Sequence, residues 1–319
     1  MTLPNLPLAR STVDADAAAR TAPTLFNDLA ADPGTRVLIL QGGHLGVDGG
    51  ELALFKVPEL PEDTWQHERL LYLGRADGLR FLALMLPEDL GYERDLDGVA
   101  VTGQASLVGL VEDLSFSHLR DIGDRLSDRD AGLGTTAVAL TAWHQRNPRC
   151  PRCGEVTEII DAGWVRRCHV EDALHYPRTD TAVIMAVTDE HDRILLGHAA
   201  HWPAGRFSTL AGYVEPGEPL EEAVVREVAE ETSILVGETT YRGSQPWPFP
   251  CSLMMGFHAK VRPGTSTEVR VDGEELTEAR FFTREELETA TSTGAVRLPM
   301  RSSIARALIE EWYGGPVPS

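Results

Sequence analysis

The stretch Gly212–Ile234, GYVEPGEPLEEAVVREVAEETSI, constrains this chain more than any other, because it sets a cluster of carboxylates behind a glycine-rich turn. Tyr213-Val214-Glu215-Pro216-Gly217 carries turn residues, and Pro219 followed by Glu221 and Glu222 marks a helix start. Proline lacks the N–H that a first helical turn leaves unbonded, and acidic side chains suit the positive end of the helix dipole. The spacing predicts a helix from about Pro219 to about Ser233. At roughly 100° per residue, Glu227, Glu230 and Glu231 fall on one side, and Glu218 at the helix entrance reaches the same side. Val224, Val225 and Val228 face elsewhere, toward a sheet. Like charges at helical spacing repel by roughly a few tenths of a kcal/mol per pair. A divalent cation relieves that conflict, since hard ions such as Mg2+ take oxygen ligands and are shared between a few carboxylates and phosphate groups. A solvated acidic face is the alternative reading of the same residues.

The charge balance favours the cation. The formal net charge is −20 and the pI near 4.9, so a site for anionic phosphates must recruit positive charge, and a broad non-specific nucleic-acid groove is disfavoured. The start MTLPNLPLARS has no apolar signal segment, and the longest apolar runs, Val37–Leu40, Phe81–Leu86 and Ala182–Val187, have the length of strands. A soluble chain with no membrane association, in a reducing cytoplasm, is expected; three of the four cysteines cluster with metal-like spacing.

With 319 residues, two domains are expected. The pattern predicts an α+β chain: an N-terminal, mainly β α/β domain over 1–117, a helical linker over 118–148, a zinc-ribbon-like segment over 149–172 and a catalytic domain over 173–319. Residues 1 to about 22, rich in Pro and Ala without periodicity, predict a loosely held arm. Arg36–Leu40, Gly50–Phe55, Leu70–Leu73 and Leu79–Met85 are strand-like runs between Gly, Pro and Asp turns. Asp113 to about Arg146 predicts helix, interrupted at Asp128–Asp130 and at Gly132 and Gly134. His44, His67, His118 and His144 stand alone and read as core or surface residues.

In the last part, Thr181–Val187 and Arg193–Gly197 predict a hairpin, Leu253–Val261 and Ala279–Phe282 further strands, and Arg301–Tyr313 an amphipathic helix. This order implies a mixed sheet sandwiched between helices. Between them, Tyr241–Ser252 interleaves three prolines with Trp247 and Phe249, which predicts a stiff aromatic loop suited to lining a pocket.

Cys150-Pro-Arg-Cys153 and Cys168-His-Val-Glu171 fall one thiol short of the paired C-x2-C pattern of a tetrahedral zinc ribbon. Two alternatives fit. Glu171, in the missing place, or the adjoining His169 completes a Zn2+ site; or the segment is held without metal through Trp164 and Ile159. With three thiols, the expectation is substoichiometric zinc or none and a fold that survives chelation. Arg146, Arg149, Arg152, Arg166, Arg167 and Arg178 make this segment locally basic, either as solvated surface or as a guide for phosphates.

The stretch at 212–234 resembles the Nudix box, G-x5-E-x7-R-E-U-x-E-E-x-G-U with U aliphatic: Gly212, Glu218, Arg226, Glu227, Val228, Glu230, Glu231 and Ile234 match. Ser233 stands where the pattern has Gly, which bears on the helix end because Gly adopts a left-handed conformation without steric penalty. Downstream, Ser244–Ser252 matches SQPWPFPxS, the array of the NADH pyrophosphatase subfamily of the Nudix hydrolases. The resemblance implies a C-terminal Nudix fold, a homodimer, and metal-dependent hydrolysis of NADH or NAD+ to nicotinamide mononucleotide and AMP, with removal of the NAD cap from RNA 5′ ends in some members. Carried over by position, it implies a catalytic set of Glu227, Glu230 and Glu231 with Arg226 and Glu218, and Mg2+ or Mn2+ on Glu227, Glu230, Glu231 and Glu275, with Glu278 competing for the last place. Arg226 would orient a carboxylate. Tyr176 and Tyr213 would stack adenine, and Gln245, Trp247, Phe249, Ser252 and Ala305 would line the dinucleotide pocket. Which box glutamate is the base stays open. A broad-specificity Nudix nucleotide-diphosphate hydrolase and a non-catalytic NAD or RNA sensor are the competing readings.

Overall fold

The computed structural model describes residues 3–61, 65, 67–86 and 105–318. It divides into two compact units: Arg10–Arg178 with Pro248–Cys251, and Met1–Ala9 with Thr179–Trp247 and Ser252–Ser319.

The first unit runs α1 (Leu25–Ala31), β1 (Thr35–Gln41), β2 (His44–Asp48), β3 (Glu51–Leu52), β4 (Leu54–Lys56), β5 (Leu70–Ala76), β6 (Leu79–Leu86), α2 (Ala105–Glu112), β7 (Ser115–Ser117), α3 (Leu119–Ile122), α4 (Asp128–Arg146), β8 (Glu158–Ile160), β9 (Val165–Cys168) and β10 (Ala173–His175). Its main sheet has the order β3-β2-β1-β6-β5, with β4 on β1 and β7 on β2. β1 and β6 pair in parallel, from Thr35↔Arg80 to Gln41↔Leu86. Val37, Leu38, Ile39 and Leu40 are all buried, so both faces of β1 are covered, as a continuous apolar run requires. β8, β9 and β10 form a separate antiparallel sheet.

The predicted helical stretch from Asp113 is corrected in two places. Ser115–Ser117 is a strand whose ladder with β2 pairs Leu45↔Ser117. α4 starts at Asp128, where the Ser127 hydroxyl accepts from the Asp130 N–H at 3.1 Å. Gly132 and Gly134 lie inside α4 without breaking it, because they are sites of close approach. A Cβ on Gly132 would fall 2.3 Å from the Ser11 Oγ.

The second unit contains β11 (Asp180–Thr188), β12 (Ile194–Ala199), β13 (Leu210–Tyr213), α5 (Leu220–Thr232), β14 (Val236–Trp247), β15 (Ser252–Val261), β16 (Leu276–Phe282), α6 (Arg284–Ser292) and α7 (Ile304–Tyr313). The sheet order is β14-β15-β11-β12-β16, with β13 on β11 and β11 parallel to β15. Alternate residues of β11 feed two cores, following the two-residue period of a strand. Val183, Met185 and Val187 pack with Ala223, Val224 and Val228 of α5. Ile184 and Ala186 pack with Leu308 and Ile309 of α7. The result is the mixed sheet between helices that the element order implied.

Two expectations change here. Ser244, Gln245, Pro246 and Trp247 are strand, paired as Ser244↔Met255, Gln245↔Met254, Pro246↔Leu253 and Trp247↔Ser252. Only Pro248–Cys251 remains as a turn, and Pro246 is tolerated because β14 is an edge strand. Residues 3–9 are not loosely held: Leu6 and Leu8 are buried, and the Leu3 N–H donates to the Arg242 carbonyl. The leucines at 3, 6 and 8 supply apolar surface that the Pro- and Ala-rich composition obscures. Among the described residues, no helix is long and apolar enough to cross a membrane.

α5 ends at Thr232, and Ser233 adopts a left-handed conformation (φ 60°, ψ 14°). The departure from Gly is therefore a strained residue in a preserved cap. Ser233→Gly is expected to stabilise this unit by roughly 0.5–1 kcal/mol, the relief of the left-handed strain less the added chain entropy. A higher unfolding midpoint in urea at unchanged slope is the check; a lower one would show that the Ser233 hydroxyl contributes more than the strain removes.

Candidate active site

Val224 and Val228 anchor α5 to the sheet, and this sets the rotation that carries Glu227 and Glu231 inward, where they are 8% and 5% exposed. Gly212 on β13 makes room for them. A Cβ there would lie 1.9 Å from the Glu227 carboxyl carbon, so a larger residue would displace the carboxylate. Burial raises the affinity of Glu227 for its proton, against the pull of Arg226. The effect is larger at Glu231, pushed up to about 8 by burial and then by the charges of Glu227, Glu275, Asp272 and Glu230. Among the described residues Glu231 has no hydrogen bond or ion pair of its own.

Arg226 organises the other carboxylates. Its Nε and one terminal nitrogen grip Glu218 at 2.8 and 2.9 Å, and the other reaches Glu227 at 2.8 Å and Glu230 at 2.9 Å. A further bond at 2.9 Å ends on the Tyr213 carbonyl, tying the helix to the end of β13. The Glu218 carboxyl is held down at about 2, chiefly by Arg226 and then by the Glu215 N–H. Every guanidinium nitrogen is occupied, so Arg226 acts on the glutamates and has no donor group idle for a ligand.

A turn completes the acidic set. The Asp272 carboxylate accepts from the backbone N–H groups of Glu274, Glu275 and Leu276 at 3.3, 3.1 and 3.0 Å. It fixes the segment from which the charge of Glu275 acts on both Glu227 and Glu231. Glu278, on β16, lies 3.9 Å from Arg280. Asp272 escaped the sequence reading, although Asp272-Gly273 is a turn-forming pair. Two buried carboxyls, one of them unpartnered, and a fixed acidic turn offer the hard oxygen donors that Mg2+ or Mn2+ takes, although among the described residues their oxygens do not converge within 4.8 Å as the three cysteine sulfurs do; a cation there would release the protons that burial retains.

Nearby, Tyr213 is 57% exposed and its hydroxyl lies 3.4 Å from the Ser252 Oγ. Trp247 pairs with Ser252. Gln245 is fully enclosed: its amide nitrogen donates to the Ser302 carbonyl at 3.1 Å, and its oxygen accepts from the Leu8 N–H at 3.4 Å. Ala305, in the first turn of α7, packs in the core. Tyr176 and Phe249 belong to the first unit. Tyr176 is exposed, whereas Phe249 stacks on His118 at 4.7 Å under the Arg120 guanidinium.

In the ribbon segment, the sulfurs of Cys150, Cys153 and Cys168 lie within 4.8 Å of one another, with Cys153 and Cys168 3.5 Å apart. Burial pushes the Cys150 thiol up, but the backbone N–H groups of Cys153 and Arg152 outweigh it and bring it down to about 6. This donor set fits three positions of a tetrahedral Zn2+ site. The fourth is not supplied by the two side chains considered for it. The Glu171 carboxylate lies 3.7 Å from Arg152, and His169 Nε2 lies 2.8 Å from Glu158. The basic character of the segment is reduced as well, since Arg166 is buried and Arg167 pairs with Asp172 at 2.6 Å.

A buried clamp closes the same loop. Arg166 donates to the Thr157 hydroxyl at 2.7 Å, the Thr157 carbonyl at 2.8 Å and the Pro148 carbonyl at 3.4 Å, so it spans both ends of the Cys150–Cys153 knuckle. Its remaining nitrogen meets His144 Nδ1 at 2.9 Å, and His144 Nε2 meets the Gly163 carbonyl at 2.8 Å. These partners require a neutral His144 with its proton on Nε2, and burial lowers its pKa to about 4.

Residues 177–302 match the family model described as NUDIX domain, residues 34–143 that of the NADH pyrophosphatase-like rudimentary NUDIX domain, and residues 145–176 that of the NADH pyrophosphatase zinc ribbon domain. The chain is similar to the NAD-capped RNA hydrolase NUDT12 of Homo sapiens, 41% identical over 59% of this chain and 43% of the relative. It is also similar to the NAD-capped RNA hydrolase NudC of Mycobacterium tuberculosis (strain CDC 1551 / Oshkosh), 40% identical over 61% of this chain and 64% of the relative. The chain thus spans less than two thirds of the length of either. A NUDIX hydrolase from Nitrosomonas europaea of solved structure aligns with a TM-score of 0.40 and 22% identity, over 54% of this chain and 96% of that one.

Two outcomes are expected. Gly212→Ala should displace Glu227 and weaken Mn2+ binding by about tenfold or more, as read by Mn2+ titration; unaltered affinity would mean that the carboxylate has room to move aside. Chelation should strip any zinc yet leave β8–β10 protected from amide exchange, whereas Arg166→Leu should expose them with metal present. Because the folded His144 pKa lies below the unfolded 6.5, its contribution to stability is complete above pH 6.5 and fades as pH falls toward 4. That contribution is on the order of 3 kcal/mol, and His144→Gln should flatten the difference across this window in calorimetry.

Proposed function

In a chain that belongs to the Nudix hydrolases, with the rudimentary NUDIX-like domain and zinc ribbon of the NADH pyrophosphatases ahead of its NUDIX domain, we propose that the α5 carboxylates carry out metal-dependent hydrolysis of the pyrophosphate bond of NADH or NAD+. Water attacks one phosphorus, the P–O–P bridge breaks, and nicotinamide mononucleotide and AMP leave. The same cut on NAD-capped RNA leaves nicotinamide mononucleotide and a 5′-monophosphate strand. The observation that carries this reading is Glu231, a buried carboxyl with no partner, under the charges of four further acids in a protein that had every opportunity to place it in solvent.

Bound at these carboxylates, Mg2+ or Mn2+ supplies polarisation of a phosphoryl oxygen and acidification of water. Glu231, held by no hydrogen bond, would be the box carboxylate left free to accept a proton from the attacking water. Glu227 and Glu230 are immobilised by Arg226, which keeps their oxygens in fixed positions and prevents their mutual repulsion from spreading the helix face. Glu275 contributes a fourth carboxylate on the Asp272 turn. The exposed ring of Tyr213, and that of Tyr176 in the first unit, each offer a surface on which adenine stacks. Stacking is worth about 1–3 kcal/mol and tolerates any base, which suits a strand that continues beyond the adenosine. Four free cysteines support a reducing, cytoplasmic setting, and we take the working form to be a homodimer.

Glu231→Gln should lower NAD+ and NADH hydrolysis by about a thousandfold or more while leaving NAD+ affinity within about tenfold. NAD-capped RNA with an unpaired 5′ end should release nicotinamide mononucleotide, and triphosphate-ended RNA should react far more slowly. Full turnover in the variant at saturating Mg2+, or equal rates on capped and triphosphate RNA, would refute the assignment.

A further inference from the structure

The ribbon segment of the first unit presents three sulfur donors and turns its other donors away. Cys150 and Cys168 are buried, Cys153 is partly exposed, and the three sulfurs lie within 4.8 Å of one another. Among the described residues, no carboxylate oxygen or imidazole nitrogen joins that group. Two such side chains follow Cys168 in the sequence, and both are engaged elsewhere. His169 directs Nε2 to the Glu158 carboxylate at 2.8 Å. Glu171 divides its allegiance: its backbone N–H donates to the Cys168 Sγ at 3.5 Å, while its carboxylate lies 3.7 Å from Arg152. The residue in the fourth place of the pattern thus serves the cluster through its main chain and leaves it with its side chain.

The polypeptide itself positions the sulfurs. The Cys150 N–H donates to the Glu155 carbonyl at 2.8 Å and the Gly154 N–H to the Cys150 carbonyl at 2.9 Å, which closes the knuckle that carries Cys150 and Cys153. Cys168 ends β9, where it pairs with Ala173 of β10. Solvent reaches the cluster on the knuckle side, where Cys153 is partly exposed and the Arg152 side chain is 69% exposed. Zinc is four-coordinate, and where a protein supplies three ligands the last is taken from solution. In a sulfur-rich site a soft donor competes well for that place.

We propose that Cys150, Cys153 and Cys168 form a three-thiolate zinc site whose fourth ligand comes from solution: water, in exchange with the thiolate of a small thiol. A paired C-x2-C ribbon is closed around its metal, whereas this one accepts a ligand from outside. The first unit then carries an exchangeable metal–ligand site of its own. The inference concerns that unit alone and does not rest on the hydrolase reading above.

The test uses the full chain, stripped of metal by a chelator, kept reduced by a phosphine in place of a thiol, and reloaded with Zn2+ or Co2+. Zinc X-ray absorption is expected to show three sulfurs and one oxygen or nitrogen around one metal per chain, with a fourth sulfur appearing when mercaptoethanol is added. The visible bands of the Co2+ form should shift with mercaptoethanol and saturate. Glu171→Ala should leave zinc affinity within about threefold, while Glu171→Cys, which completes the second C-x2-C pair, should raise it by about a hundredfold or more and abolish the response to mercaptoethanol. No zinc uptake by the wild-type chain at micromolar metal would overturn the proposal. So would a loss of affinity of about tenfold or more in Glu171→Ala, which would make the carboxylate the fourth ligand. Four sulfurs around the metal before any thiol is added, or a Co2+ spectrum indifferent to mercaptoethanol, would overturn it as well, since either shows a fourth position already closed.

Discussion

Holding Glu227 and Glu231 inside the second unit is the constraint to which the surrounding chain answers. A carboxylate taken out of water either keeps its proton or finds positive charge, and the protein treats its acids unequally in this respect. Arg226 engages Glu218, Glu227 and Glu230 with all its nitrogens, so one positive charge is shared among three carboxylates on that side of the cluster. Glu231 receives nothing, and its proton affinity rises accordingly. One permanently charged guanidinium thus does two things: it holds a row of glutamates against splaying, and it leaves Glu231 without a cationic partner. Gly212 and the Asp272 turn are the backbone conditions for that arrangement, the first by absence of a side chain and the second by a carboxylate that captures three N–H groups.

The other cationic site of the chain follows opposite chemistry. Three thiols converge in the ribbon, where a soft ligand set suits Zn2+, and the polypeptide there is also closed by hydrogen bonds. Arg166 fastens both ends of the cysteine knuckle through neutral acceptors, and neutral His144 backs it from α4. A buried guanidinium facing only carbonyls, a hydroxyl and an imidazole is tolerable because each of its nitrogens is bonded. The segment brings three thiols together where the C-x2-C pair pattern has four, and the clamp fastens the chain on either side of Cys150 and Cys153.

Both units centre on a parallel pair of strands within an otherwise antiparallel sheet, β1 with β6 and β11 with β15. Among the described residues it is the second unit that carries, between β13 and β14, a helix bearing a row of glutamates, and it is there that glycine and turn residues make room for buried charge. The same architecture therefore supports a site in one unit and, among the described residues, no comparable carboxylate cluster in the other. The fold provides a platform, and the chemistry resides in the side chains placed on it.

The sequence alone determined whatever depends on short-range periodicity. The extent of α5, the side of it that carries Glu227, Glu230 and Glu231, the hairpin of β11 and β12, and the amphipathic α7 were legible because 3.6-residue and two-residue repeats are written into neighbouring positions. Even the left-handed Ser233 was foreshadowed by where a glycine was expected. What escaped depends on residues far apart in the chain. That Ser244–Trp247 is strand rests on its ladder with β15; that residues 3–9 are seated rests on a core built from α7; that Gln245 is enclosed rests on Leu8 and Ser302 meeting it from opposite ends of the chain. Glu171 has the right spacing for a thiol's replacement, but its carboxylate turns to Arg152 instead. Spacing states which side chains are available, and only the packed tertiary structure decides which of them are left without a partner, because burial and the loss of water are properties of the assembled fold.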